Sequence, residues 1–218
     1  FLRAMDQPQP SRRTPVRSLL TRCVAIPYGV GMADAAKQPF APLYVERLSI
    51  RNFRGIVSCD LELEPQLTLL VGRNNAGKSR ILRALGVALG GLAAELDDLT
   101  VGDVENPTID VVVAPPPPTA ATQEEVFETT VGQRLVNTQA LREEPLRERF
   151  AWRTTIRRSA EGLGARAEMQ VLTFDSSTET WVLPTNAAAL SRDQRSLFAA
   201  DLVETKRDLV DELGRRGS

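Results

Sequence analysis

Residues 69–79, LLVGRNNAGKS, put a glycine-bracketed loop directly between an apolar run and the start of an amphipathic helix. No other feature of the chain constrains its fold as tightly. Residues 72–79 fit G-x-x-x-x-G-K-[ST], the phosphate-loop or Walker A pattern. A triphosphate crowds several negative charges into a small volume. A loop that wraps it with main-chain N–H groups needs glycine wherever a side chain would collide or φ must be positive. Lys78 would reach the β- and γ-phosphates, and the Ser79 hydroxyl would ligate Mg²⁺. The N-terminus of the following helix adds its partial positive charge.

The flanking sequence sets the context. "LYVERLSI" from Leu43 reads as a strand, "NFRG" at 52–55 as a turn, and "VSCDLEL" as a half-buried strand with Val57, Cys59, Leu61 and Leu63 on one face. "LTLLV" (67–71) is a continuous apolar run, as expected of a strand covered on both faces. A helix is predicted from about Gly77, with Ile81, Leu82, Leu85, Ala88, Leu89 and Leu92 on one side and Gly90 and Gly91 weakening its end. "TIDVVVA" (108–114) is another strand, and "PPPP" (115–118) a stiff connector. Residues 123–150, rich in Glu and Arg, read as helical, with Pro145 breaking or restarting the pattern. "AWRTTIRR", "AEMQVLTF" and "TETWVL" read as three short antiparallel strands. A last helix is predicted over 200–214.

Residues 1–31 differ from the rest. The first 23 carry five arginines against one aspartate, with prolines at 8, 10 and 15. They read either as a basic arm able to touch phosphates or as a disordered, non-native extension, and Met32 reads as a natural start. The expected organisation is therefore an extension over 1–31 and the folded, loop-bearing portion over 32–218.

Composition narrows the chemistry. The net charge of −1 supplies no global basic field that would by itself announce nucleic acid. Two cysteines in 218 residues argue against a disulfide framework and fit a reducing, cytoplasmic setting. No apolar run is long enough to span a bilayer, so no membrane partner is expected. Histidine is absent altogether, which removes Ser-His-Asp triads, Cys-His pairs and histidine-ligated zinc from this chain.

The stretch "VERLSIRNFRGIVSCDLELEPQLTLLVGRNNAGKSRILRAL" resembles the N-terminal part of RecF/SMC-like ABC ATPases, and is most similar to the OLD (overcoming lysogenization defect) family and its phage-defence relatives. The resemblance implies an α/β fold: the N-terminal lobe of a P-loop NTPase (ABC ATPase head-like), with an antiparallel β-rich part and flanking helices. It implies ATP and Mg²⁺ as ligands, cradled by Gly72, Asn74, Asn75, Ala76, Gly77, Lys78 and Ser79, with Arg80 following near the α-phosphate. Arg51, Asn52 and Arg54 lie where such proteins often place residues near the nucleotide; a solvated turn is the other reading. DNA repair or antiviral defence is the implied setting. A second ATPase head, or the C-terminal remainder of a longer homo-oligomeric protein, is the implied partner, and DNA is possible by analogy.

Hydrolysis in such a site also needs a Walker B strand ending in Asp-Glu and a signature loop. "MQVLTFD" ends in Asp175 but reads better as a hairpin, and Asp211 with Glu212 reads as a solvated helix face. "LGGL" (89–92) is not a signature loop, and Asp97 with Asp98 reads as a loop. An ABC ATPase's late switch histidine and an OLD-type Toprim nuclease set are missing too. The catalytic residues are therefore unassigned, and the expectation is an N-terminal part of a longer ATPase, or an ATP-dependent endonuclease, that needs the remainder for turnover. A non-hydrolysing, nucleotide-responsive interaction module is the alternative. A metabolite kinase would require Arg153, Arg157 and Arg158 as a lid, yet their spacing suits a sheet surface.

Overall fold

The structure, a computed structural model, describes residues 43–100, 105–117, 123–135, 139–143 and 146–198. The basic N-terminal stretch, Met32, the helix expected over 200–214 and the Asp211/Glu212 pair lie outside the described residues.

An antiparallel sheet organises the chain. Strands β1 (Tyr44–Phe53), β2 (Ile56–Glu62), β3 (Thr108–Ala114), β4 (Gln139–Glu143) and β5 (Leu146–Arg158) run in the order β2-β1-β3-β5-β4, and β6 (Ala165–Val171) also pairs with β5. Alternation along these strands sends Leu48 and Ile50 of β1, Ile109, Val111 and Val113 of β3, and Phe150, Trp152 and Ile156 of β5 to one face, all buried. The opposite face carries a small apolar patch, Val112 and Ala151 buried with Leu172 and Trp181, and is otherwise polar and charge-matched. There Arg51 grips both oxygens of Asp60 (2.8 and 2.9 Å) and Arg153 grips those of Asp110 (2.7 Å each).

Helix α1 (Lys78–Ala88) lies on the apolar face through buried Ile81, Ala84, Val87 and Ala88. Its last carbonyls lack helical partners. The indole N–H of Trp152 donates to one of them, Ala88 O, at 3.0 Å, while Gly90 at φ +77° turns the chain away. Trp152 also stacks on Phe198 at 4.4 Å, next to α3 (Arg192–Ser196), and a short α2 (Thr129–Arg134) adds Val131 to the core. Strands β7 (Thr173–Asp175) and β8 (Thr180–Val182) form a separate hairpin. The result is the α/β, antiparallel β-rich architecture expected of the sequence.

Three local expectations are corrected. Residues 123–150 are not one helix: among the described residues only α2 is helical, and β4 and the start of β5 are strands. The cause is tertiary pairing that overrides helix propensity. Arg149, 4% exposed, donates to both oxygens of Glu46 (2.8 and 2.7 Å) and to Glu125, contacts available only in the extended chain. Second, residues 67–71 are not a strand, and among the described residues no strand pairs with them. Leu70 packs against the core, but Leu67, Leu69 and Val71 are 39, 37 and 67% exposed, because among the described residues no second layer covers their side of the run. Third, the inward faces are narrower than the spacing implied. Val57 stands 74% exposed near the start of the edge strand β2, and Leu82 47% exposed on the outer side of α1.

Candidate functional site

The loop at 72–79 opens directly into α1. Gly77 is the N-cap residue with φ +91°, and Asn75 has φ +66°, so two left-handed residues reverse the chain just before the helix. A β-carbon at Gly77 would have room, so conformation alone asks for glycine there; at Gly72 a β-carbon would press on Ala76 Cβ at 3.3 Å. The Ala76 N–H donates to Arg73 O at 3.1 Å and tightens the bend. No side chain caps the helix, and its first turn carries no acidic residue. The first-turn amides therefore face outward with no acceptor from the helix and no negative charge to compete for them.

Lys78 crosses this mouth. Its ammonium donates to Gly72 O at 2.6 Å and to Arg73 O at 2.8 Å, pinning the start of the loop to its end. Asn74, Asn75, Ala76, Ser79 and Arg80 are all exposed around the same opening. Amides, a helix N-terminus and an ammonium gathered on one short loop can hold an anion with several oxygens. The Ser79 hydroxyl, exposed on the first turn, is a hard oxygen of the type Mg²⁺ takes.

The structure separates the three polar residues of the 51–54 region. Arg51 lies on the open sheet face with Asp60, and Asn52 donates to Glu105 at 3.2 Å. Arg54 turns the other way. Its residue has φ +48°, and its guanidinium lies among Asp98 (3.2 Å), Asp97 (3.7 Å) and Glu95 (3.8 Å). The adjoining Gly55 sits against the Arg80 side chain, where a β-carbon would lie 3.4 Å from Nη1. This turn is thus the part of β1–β2 that meets the first turn of α1.

Asp98 is the group that sequence reading undervalued. It closes a 3-10 turn (Leu96–Asp98), is fully buried, and accepts from Arg83 Nε at 2.7 Å and Nη2 at 3.0 Å. Those hydrogen bonds raise the Arg83 pKa above its ordinary value. The available signal was local: an acid flanked closely by Leu96 and Leu99, with arginines nearby in the helix. Asp175 stays in the β7–β8 turn, where hydrogen bonds from the Ser177 hydroxyl (2.6 Å) and N–H (2.9 Å) lower its pKa. Arg153 is paired with Asp110, and Arg157 lies 3.4 Å from Glu168, so both sit in a sheet surface.

Comparison with known proteins follows the same segment. The AAA ATPase domain family matches residues 44–108. DNA replication and repair protein RecF of Arthrobacter sp. (strain FB24) is 46% identical over 44 residues, 20% of this chain and 11% of that protein. RecF of Roseiflexus castenholzii is 51% identical over 43 residues, again 20% and 11%. The OLD nuclease of Thermus scotoductus is 50% identical over 46 residues, 21% of this chain and 8% of that protein. The chain thus matches about a tenth of the length of these relatives. A solved structure described as "Structural biochemistry of ATP-driven dimerization and DNA stimulated activation of SMC ATPases" superposes with a TM-score of 0.42 at 17% identity, over 79% of this chain and 95% of that one, a likeness too slight to argue from. Residues 44–108 are thus similar to the AAA ATPase domain family, and within that segment to RecF and the OLD nuclease.

Proposed function

We propose that residues 72–79 bind ATP with Mg²⁺, and that the chain works as the nucleotide-binding head segment of an OLD/RecF/SMC-like ATPase. The observation that carries this reading is the uncapped N-terminus of α1, reached through left-handed Gly77, with Lys78 drawn across the loop. Backbone amides from Asn74, Asn75, Gly77 and Lys78 receive the β-phosphate, the ammonium neutralises the β- and γ-phosphates, and Ser79 ligates the metal. Arg80 lies on the α-phosphate side. Turnover requires a carboxylate pair and a signature loop from a second head or from the rest of a longer protein. DNA processing or phage defence in the cytoplasm, with endonuclease activity as one form, is the setting we infer. It draws on the RecF and OLD nuclease relatives and on the family resemblance.

Lys78→Ala tests the reading. Loss of the ammonium should weaken MgATP binding about hundredfold, measured by isothermal titration, while circular dichroism stays that of the wild type. Unchanged affinity would remove the assignment.

A second reading is a nucleotide-responsive interaction module that does not hydrolyse ATP. The position of Asp175 in an exposed hairpin supports it, since the sequence's nearest candidate for a metal-holding acid is occupied by Ser177 and Thr178. Partner affinity that is identical with and without ATP would exclude this module.

A further inference from the structure

Charge is spread unevenly along the chain. Residues 65–94 contain no aspartate or glutamate, yet they carry Arg73, Lys78, Arg80 and Arg83. Of these, Arg83 alone has acidic partners among the described residues, Asp98 at 2.7 Å and Glu95 at 2.8 Å. The other three cations sit on the loop and the first turn of α1, with Arg73 and Arg80 both exposed. Arginines of the open sheet face are treated differently, Arg51 being matched with Asp60 and Arg153 with Asp110. The loop therefore holds positive charge that the described residues leave uncompensated.

The backbone of Arg73 is fixed although its side chain is exposed. Its carbonyl accepts from the Lys78 ammonium at 2.8 Å and from the Ala76 N–H at 3.1 Å. Gly72 O takes the same ammonium at 2.6 Å. The Arg73 side chain thus springs from a point beside the ammonium, well inside the screening length of about 8 Å at physiological salt. Arg80 lies elsewhere: its guanidinium meets the 52–55 turn, with Nη1 3.4 Å from where a β-carbon on Gly55 would stand. The cations are ordered as a result, Arg73 at the loop's entry, Lys78 across its mouth and Arg80 beyond it on α1.

We propose that Arg73 is a specificity-determining residue of the loop, selecting a nucleoside triphosphate over the diphosphate by adding a second positive charge beside Lys78. The proposal rests on the nucleotide reading above, in which the ammonium meets the β- and γ-phosphates and Arg80 the α-phosphate side. Loss of the terminal phosphate removes negative charge from the end nearest Arg73. The discrimination is Coulombic, so it falls as salt rises.

The experiment is isothermal titration of the full chain with MgATP and with MgADP, for the wild type, Arg73→Gln, Arg73→Lys and Arg195→Gln. Arg195, exposed on α3, loses the same charge away from the loop. Arg73→Gln should weaken MgATP about fivefold and MgADP less than about twofold. Arg73→Lys should keep most of the preference, and Arg195→Gln should leave both affinities unchanged. Equal losses for the two nucleotides, an unchanged MgATP affinity in Arg73→Gln, an Arg73→Lys variant that behaves like it, or a matching loss in Arg195→Gln would each overturn the proposal. If Arg73→Gln fails to fold, salt decides: a wild-type preference that stays constant from about 0.05 to 0.5 M salt would overturn it as well. A wild type that binds no MgATP would remove the nucleotide reading and this inference together; binding without the Arg73 effect would remove this inference alone.

Discussion

The two flanks of the 72–79 loop are built in opposite ways. On the helix side, α1 buries Ile81, Ala84, Val87 and Ala88, hands its terminal carbonyl to Trp152 and is tied through Arg83 to a fully buried carboxylate. On the strand side, Leu67, Leu69 and Val71 are exposed and lie outside any ladder, although their sequence is the more apolar of the two. The contrast teaches that hydrophobicity alone does not make a strand. A run buries itself only when neighbouring strands and a covering layer exist to receive it. The helix is consequently the better anchored of the loop's two flanks, the preceding segment adding Leu70 alone of its leucines and valine to the core.

The largest expected effect comes from breaking the helix side. Trp152→Ala removes a fully buried indole, its stacking on Phe198 and the bond to Ala88 O, and should cost about 3–5 kcal/mol in denaturant unfolding. A loss near zero would mean that α1 is not anchored as described. A smaller change should strengthen the same side. Thr154 is fully buried on β5, and its hydroxyl has no partner among the described residues. Thr154→Val should stabilise the protein by about 1 kcal/mol, read as a Tm rise of roughly 2–4 °C. The smallest effect belongs to the strand side. Leu69→Glu should change stability by less than about 0.5 kcal/mol, because the side chain is already partly in water; a loss of several kcal/mol would show the run to be packed.

How far the sequence was legible follows the same division. Strands β1, β2, β3 and the 151–158 part of β5 could be read from their apolar patterning, and the loop could be read because its glycines answer a conformational demand visible in the letters themselves. The 123–150 region could not. Its Glu and Arg residues favour a helix locally, and the choice of strand depends on Glu46 and Glu125 meeting Arg149, a contact between distant parts of the chain. Asp98 was missed for a related reason. An acid beside another acid reads as solvated, and only the fold brings Arg54 and Arg83 to the same carboxylate. Residues 67–71 failed in the other direction, since an apolar run states a preference for burial without supplying the strands that would satisfy it.

The central claim is that main-chain amides around the start of α1 receive a polyphosphate. A ¹⁵N-labelled chain titrated with magnesium and a slowly cleaved ATP analogue tests it residue by residue. Saturable shifts in the amide signals of residues 74–79, with those of the distant β7–β8 hairpin unmoved, are the expected result. Loop amides that stay fixed at millimolar analogue would contradict the account.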